Sequence, residues 1–132
     1  MKRKQFLLLL CFAFLLVSEF SFAQTKTGIK SIKETSVDSK GKELPKSFEA
    51  YDPQGNLTEE IQYDDDGKIK VHEKYEFNKA NQKVKETHFL PNGNIDEVAT
   101  YEYDAKGNKV LKTVTDGSGR VKSKKKFTYE YY

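Results

Sequence analysis

Seven short turn signals, spaced alternately 14 and 12 residues apart, dictate most of what this chain can become. They are Asp38-Ser39-Lys40-Gly41, Asp52-Pro53-Gln54-Gly55, Asp64-Asp65-Asp66-Gly67 and Asn78-Lys79-Ala80-Asn81, followed by Leu90-Pro91-Asn92-Gly93, Asp104-Ala105-Lys106-Gly107 and Asp116-Gly117-Ser118-Gly119. Asp or Asn first, Pro second and Gly fourth is type I turn chemistry. The fourth position asks for φ > 0, which Gly meets freely and Asn tolerates. The full repeat is therefore a pair of strands of 26 residues, and internal repeats of that length govern the fold.

The segments between turns alternate in polarity. In Lys68 to Phe77, the residues Ile69, Val71, Tyr75 and Phe77 share one parity, and Lys68, Lys70, His72, Lys74 and Glu76 share the other. Period two means strand. Odd parity continues through Tyr51, Leu57, Ile61, Tyr63, Phe89, Ile95, Tyr101, Tyr103, Leu111, Val121, Phe127, Tyr129 and Tyr131. Phe48, Val84, Leu90, Val98, Val110, Val114 and Tyr132 break it. A three-residue hairpin loop with a glycine bulge preserves parity across each turn. It pairs Tyr51 with Leu57, Tyr63 with Ile69, Phe77 with Lys83 and Tyr103 with Lys109. It also sets Lys85 opposite Tyr75, and Glu59 opposite Glu73.

The expected fold is all-β: an antiparallel meander of about eight strands forming one curved open sheet, apolar on one face and charged on the other. The alternative is a closed up-and-down barrel, for which eight strands suffice. The lysine-rich ends, Ile29 to Val37 and Arg120 to Lys126, favour the open form, because lysines protect unpaired sheet edges. Charges on the odd face, among them Glu59, Glu73, Lys83, Lys85, Glu97, Lys109 and Lys125, argue against an outer-membrane barrel, where each midplane Lys costs about 2–4 kcal/mol.

Residues 1–23 read as a signal peptide. Met1-Lys2-Arg3-Lys4 is basic, Phe6 to Val17 is almost wholly apolar, and Ser21-Phe22-Ala23 offers a cleavage site. Its apolar run is too short to span a membrane. The expected mature domain is 24–132, secreted or periplasmic, with no transmembrane span. Cleavage removes Cys11, the only cysteine, and with it any disulfide, thiolate ligand or thiol nucleophile. It also takes Lys2, Arg3 and Lys4, leaving a nearly neutral chain without the electrostatic motive for nucleic acid.

Tyr103-Asp104-Ala105-Lys106-Gly107-Asn108 resembles the core of the YD repeat of Rhs-type bacterial surface proteins and toxins. Tyr51-Asp52-Pro53-Gln54-Gly55-Asn56 and Tyr63-Asp64-Asp65-Asp66-Gly67 resemble it nearly as well. Leu90-Pro91-Asn92-Gly93-Asn94-Ile95 is similar to the hairpins of MORN-like antitoxin proteins. Together these resemblances imply a β-sheet surface module rather than an activity.

No catalytic constellation, metal site or cofactor site is expected. The serines lack a nucleophile context, and His72 and His88 fall on the even, solvated parity. Asp64-Asp65-Asp66-Gly67 lacks the spacing of a calcium loop. The expected function is non-enzymatic binding through aromatic residues: Tyr51, Phe77, Tyr103 and Tyr129 recur every 26 residues, with Tyr75, Tyr101 and Phe127 one step inward. The partner classes are a glycan, a cell-wall component or a protein, including a second copy of the sheet. The alternative is a glycan-active enzyme using Glu59 and Glu73 as an opposed carboxylate pair. Lysine stems packed on rings are the plain structural reading of Lys83, Lys85 and Lys109.

Overall fold

The computed structural model describes residues 28–132, so the expected leader and its cleavage site lie outside the described residues. Eight strands follow in order: β1 Ser31–Val37, β2 Glu43–Tyr51, β3 Leu57–Tyr63, β4 Ile69–Phe77, β5 Lys83–Phe89, β6 Ile95–Tyr103, β7 Lys109–Asp116 and β8 Val121–Lys126. They form one antiparallel sheet in sequence order, and β1 and β8 do not pair, so the sheet is open and not a barrel. Among the described residues there is no helix, and hence none able to cross a membrane.

Each turn closes as its sequence dictates. In the β3–β4 hairpin the Gly67 amide donates to the Asp64 carbonyl at 3.0 Å, and the Asp64 amide to the Lys68 carbonyl at 2.9 Å. Asp64 Oδ1 accepts from the amides of Asp66 and Lys68, locking the turn with its own side chain. Asn81 takes the place of Gly with φ of 58°. Leu90 has no carboxylate to contribute, and there Asn92 Oδ1 accepts the Asn94 amide instead.

The register beside the turns is the expected one: Tyr51 faces Leu57, Tyr63 faces Ile69, Phe77 faces Lys83 and Tyr103 faces Lys109. Every hairpin carries a second irregularity further in, after the first pair in six of them and after the third in the β1–β2 hairpin. A single residue of the returning strand has no opposite number: Lys46, Thr58, Lys70, Val84, Asp96, Val110 or Lys122. One extra residue reverses the side of everything after it.

This corrects the single odd-numbered apolar face. Parity is kept between alternate strands, where two reversals cancel, and lost between neighbours. Phe48 thus lies opposite Ile61, Val98 opposite Thr87, and Val114 opposite Ala99. Alternation from these pairs assigns two faces. The first holds Tyr51, Leu57, Glu73, Tyr75, Phe77, Lys83, Glu86, His88, Ala99, Tyr101 and Tyr103. The second holds Phe48, Ile61, Tyr63, Ile69, His72, Lys74 and Phe89. Each face is aromatic toward one end of the strands only, and the two ends are opposite.

A single layer buries little. Among the described residues, only Ala99 (2% exposed), Tyr101 (8%) and Thr87 (7%) are buried, all on β5 and β6. The edge strand β8 is exposed along its whole length and carries Lys122, Lys124, Lys125 and Lys126, the composition that discourages edge-to-edge pairing.

Candidate functional site: an aromatic rim and a carboxylate–histidine row

Tyr51, Phe77 and Tyr103 end β2, β4 and β6, each just before a turn at the same end of the sheet. Tyr129 repeats the arrangement beyond β8, where the Phe127 amide still donates to the Val110 carbonyl at 3.0 Å. Three of these rim rings occur on alternate strands, about 9.5 Å apart by the ordinary strand spacing, and Tyr129 follows the last of the alternate strands. The three tyrosine hydroxyls are anchored. Tyr103 donates to the Lys83 carbonyl at 2.7 Å, Tyr129 to the Lys109 carbonyl at 2.8 Å, and Tyr51 to Glu49. Each of these three rings is therefore held by its hydroxyl, and Tyr129 is 43% exposed.

The inner rings have a different setting. Lys83 Nζ lies 4.9 Å from the Tyr75 ring centre and 5.7 Å from that of Tyr101. Lys109 and Lys112 approach Tyr101 at 4.4 and 5.6 Å, and Lys125 approaches Phe127 at 5.6 Å. Rings and lysines alternate across the first face, as cation–π packing favours. Tyr101, enclosed by three lysines and nearly buried, is the packing centre of this face; only the rim rings, Tyr75 and Phe127 remain accessible. The pairing expected for Lys85 is corrected: Glu86 faces Tyr75, and Lys85 faces Glu76, with a 2.8 Å ion pair to it.

Three hollows border the rim, and one of about 440 Å³ is lined by Tyr51, Asp52 and Pro53 with Gly28, Ile29 and Lys30. A second of about 350 Å³ is lined by Leu57, Tyr75, Phe77 and Lys83. The third, about 380 Å³, lies between the β2–β3 and β4–β5 turns, where Asp52, Gln54, Asn78, Lys79 and Asn81 surround Phe77. The turns are tied to each other along this end. Asn56 Nδ2 donates to Asn81 Oδ1 at 3.2 Å, Gln82 Nε2 to the Gly107 carbonyl at 3.0 Å, and Asn108 Nδ2 to the Tyr131 hydroxyl at 2.8 Å. Positions 56, 82 and 108 are 26 residues apart, so the repeat builds the brace as well as the rim.

Inward of the rings, the bulges create a row invisible to parity. Glu49, Glu60, Glu73, His88, Glu97 and Asp116 stand directly opposite one another on β2 through β7. Like charges opposed in a sheet are destabilising, and each has a compensating partner. Gln62 donates to Glu60, Tyr75 to Glu73, and Lys122 to Glu97 at 2.7 Å. His88 is the centre: Nδ1 is 2.9 Å from Glu73 Oε1, and Nε2 is 3.1 Å from Glu86 Oε1. Glu86 Oε2 accepts from Tyr101 at 2.8 Å and from Lys83 at 2.7 Å. Burial raises the Glu86 carboxyl, but these two donors outweigh it and hold the group below the usual range. Burial, then the adjoining carboxylates Glu73 and Glu86, push the Tyr75 and Tyr101 hydroxyls up, so both stay donors.

Two expectations about titratable residues are therefore corrected. The histidines do not share a solvated face. His72 is on the second face, 2.8 Å from Glu59, and stacked on Phe89 at 4.5 Å between ring centres. Glu59 does not oppose Glu73; it faces Lys74, and Glu60 takes the place opposite Glu73. The carboxylate correction follows from the extra residue Lys70, which turns β4 over relative to β3, and the histidine correction from Val84, which does the same to β5 relative to β4.

No curated protein matches this chain. Residues 69–115, from the start of β4 to the penultimate residue of β7, are similar to a family model described as a protein of unknown function (DUF2963).

Proposed function

We propose that the chain is a non-enzymatic binding module that holds an extended glycan along the rim formed by Tyr51, Phe77, Tyr103 and Tyr129. The observation that carries this reading is the hollow between neighbouring turns, where an aromatic ring meets converging amide and carboxylate side chains at Asp52, Asn78 and Asn81. A sugar presents the same combination in reverse: an apolar C–H face to stack on a ring, and hydroxyls around its edge. Sites that orient small ligands combine apolar walls with a few placed polar groups. The rim repeats every second strand, a spacing of about 9.5 Å, close to the disaccharide repeat of an extended β-1,4-linked chain. The anchored hydroxyls of Tyr51, Tyr103 and Tyr129 lower the ordering cost of binding, because those rings are already held.

A protein partner suits this surface less well, since the rim rings are separated by lysines and turn amides rather than joined in one apolar patch. The test is calorimetry with β-1,4-linked N-acetylglucosamine oligomers against Phe77→Ala plus Tyr103→Ala. The second-face control is Tyr63→Ala. The rim variant should lose at least about tenfold in affinity, which is about 1.4 kcal/mol, and the control should match wild type. Equal binding by the rim variant, or no binding by wild type, contradicts the reading.

A further inference from the structure

The carboxylate–histidine cluster on the first face has a geometry that neither ring packing nor glycan stacking requires. Glu73 and His88 are a direct cross-strand pair, and Glu86 precedes His88 by two residues on the same face of β5. One donor atom from each of the three lies within 4.8 Å of the others. His88 bridges the two carboxylates through different ring atoms, Nδ1 at 2.9 Å from Glu73 and Nε2 at 3.1 Å from Glu86. A metal takes one of those nitrogens, with donor bonds of about 2.0–2.2 Å, so binding exchanges the hydrogen bond at that nitrogen for the ion and draws the other carboxylate toward it. We propose that Glu73, Glu86 and His88 form a binding site for a divalent transition-metal cation of the zinc type.

Four features support the assignment. The side chains are partly enclosed, with exposures of 22% for Glu73, 16% for Glu86 and 35% for His88. That is buried enough to hold position and open enough for water to complete the shell. The second oxygen of each carboxylate is already oriented from outside: Tyr75 holds Glu73, and Tyr101 with Lys83 holds Glu86 Oε2. Such outer partners fix ligand orientation in metal sites. Glu60 and Glu97 continue the row on either side of Glu73 and His88, adding negative potential that a cation relieves. One imidazole nitrogen with two carboxylate oxygens selects zinc-like ions over calcium or magnesium, which take oxygen alone.

The experiment is a calorimetric titration of Zn²⁺ into chelator-treated full chain, with Ca²⁺ as a parallel arm. Wild type should bind Zn²⁺ saturably in the micromolar range or tighter, and Ca²⁺ should not saturate. His88→Gln and Glu73→Gln should each weaken Zn²⁺ binding by about tenfold or more, while His72→Gln on the second face should match wild type. Wild-type imidazole resonances give an answer independent of variant folding: Zn²⁺ should shift those of His88 and leave those of His72 in place. Absence of saturable binding, or a response centred on His72, overturns the proposal.

Discussion

Phe48 on β2 lies directly opposite Ile61 on β3, an even-numbered residue facing an odd-numbered one. That pair is possible because Thr58 is an extra residue in the returning strand. The same device recurs in every hairpin and deals the apolar residues to two faces instead of one. Deleting Lys70, the extra residue of the β3–β4 hairpin, should reverse β4 against β3 and abolish cooperative unfolding. Lys70→Ala, which keeps the residue and removes an exposed side chain, should stay within about 0.5 kcal/mol of wild type. A deletion variant with an unchanged urea midpoint would show that the bulge does not set the faces.

Tyr101 is the packing centre, and its neighbours define what its loss costs. Tyr101→Ala should destabilise by about 3 kcal/mol or more, as truncation of a buried aromatic does. Tyr101→Phe removes only the hydroxyl donated to Glu86 and should cost about 1 kcal/mol. Tyr129→Ala, at an exposed ring, should cost less than either. Thermal denaturation of the three variants orders them, and a Tyr129 effect equal to that of Tyr101→Ala would contradict the burial assignment.

Asn81 occupies a left-handed position that Gly fills in the other six turns, with φ of 58°. Asn81→Gly should be neutral or stabilise by a few tenths of a kcal/mol. Gly67→Val, at φ of 78°, should cost about 1–2 kcal/mol from the backbone alone, since a Cβ there meets Pro45 and Leu44 only at ordinary contact distance. Urea unfolding reads both, and a gain in stability on Gly67→Val would mean that the turn is not the left-handed type.

Acid should weaken the fold through its turns. The Asn56 side chain holds the Asp52 carboxyl below its usual value, the Asn108 side chain does so for Asp104, and the Ser118 hydroxyl leads in bringing Asp116 to about 2. A carboxyl depressed in the folded state contributes stability above its unfolded value of about 3.9 and loses it as pH falls through the folded value. For Asp116 that window runs from about 4 down to about 2. Asn forms the same side-chain turn at Asn78, so Asp52→Asn, Asp104→Asn and Asp116→Asn together should keep the turns and remove the titration. The urea midpoint of wild type should fall more steeply than that of the triple variant between pH 4 and pH 2; parallel slopes would contradict the assignment.

The hairpins were legible because each tetrad couples a turn residue to a backbone angle, and the pairs beside the turns followed at once. Tyr51, Tyr75, Phe77, Tyr101 and Tyr103 share a face because β2, β4 and β6 are alternate strands, between which two reversals cancel. The second bulge was not legible, since Lys46, Thr58, Lys70, Val84, Asp96, Val110 and Lys122 share no side-chain chemistry. Its trace was present in the exceptions. Val84 and Val110 are the extra residues themselves, and Phe48, Val98 and Val114 are apolar residues on the far side of a bulge. The carboxylate–histidine row was missed for the same reason, because parity separated His88 from Glu73.

Glycan engagement at the rim is tested most directly by intermolecular nuclear Overhauser effects between the labelled chain and a β-1,4-linked N-acetylglucosamine tetramer. Ring protons of Phe77 and Tyr103, with those of Tyr51 or Tyr129, should show contacts to the sugar C–H face, and the second-face rings of Tyr63 and Phe89 should show none. Contacts confined to Tyr63 and Phe89, or absent at saturating sugar, would contradict the account.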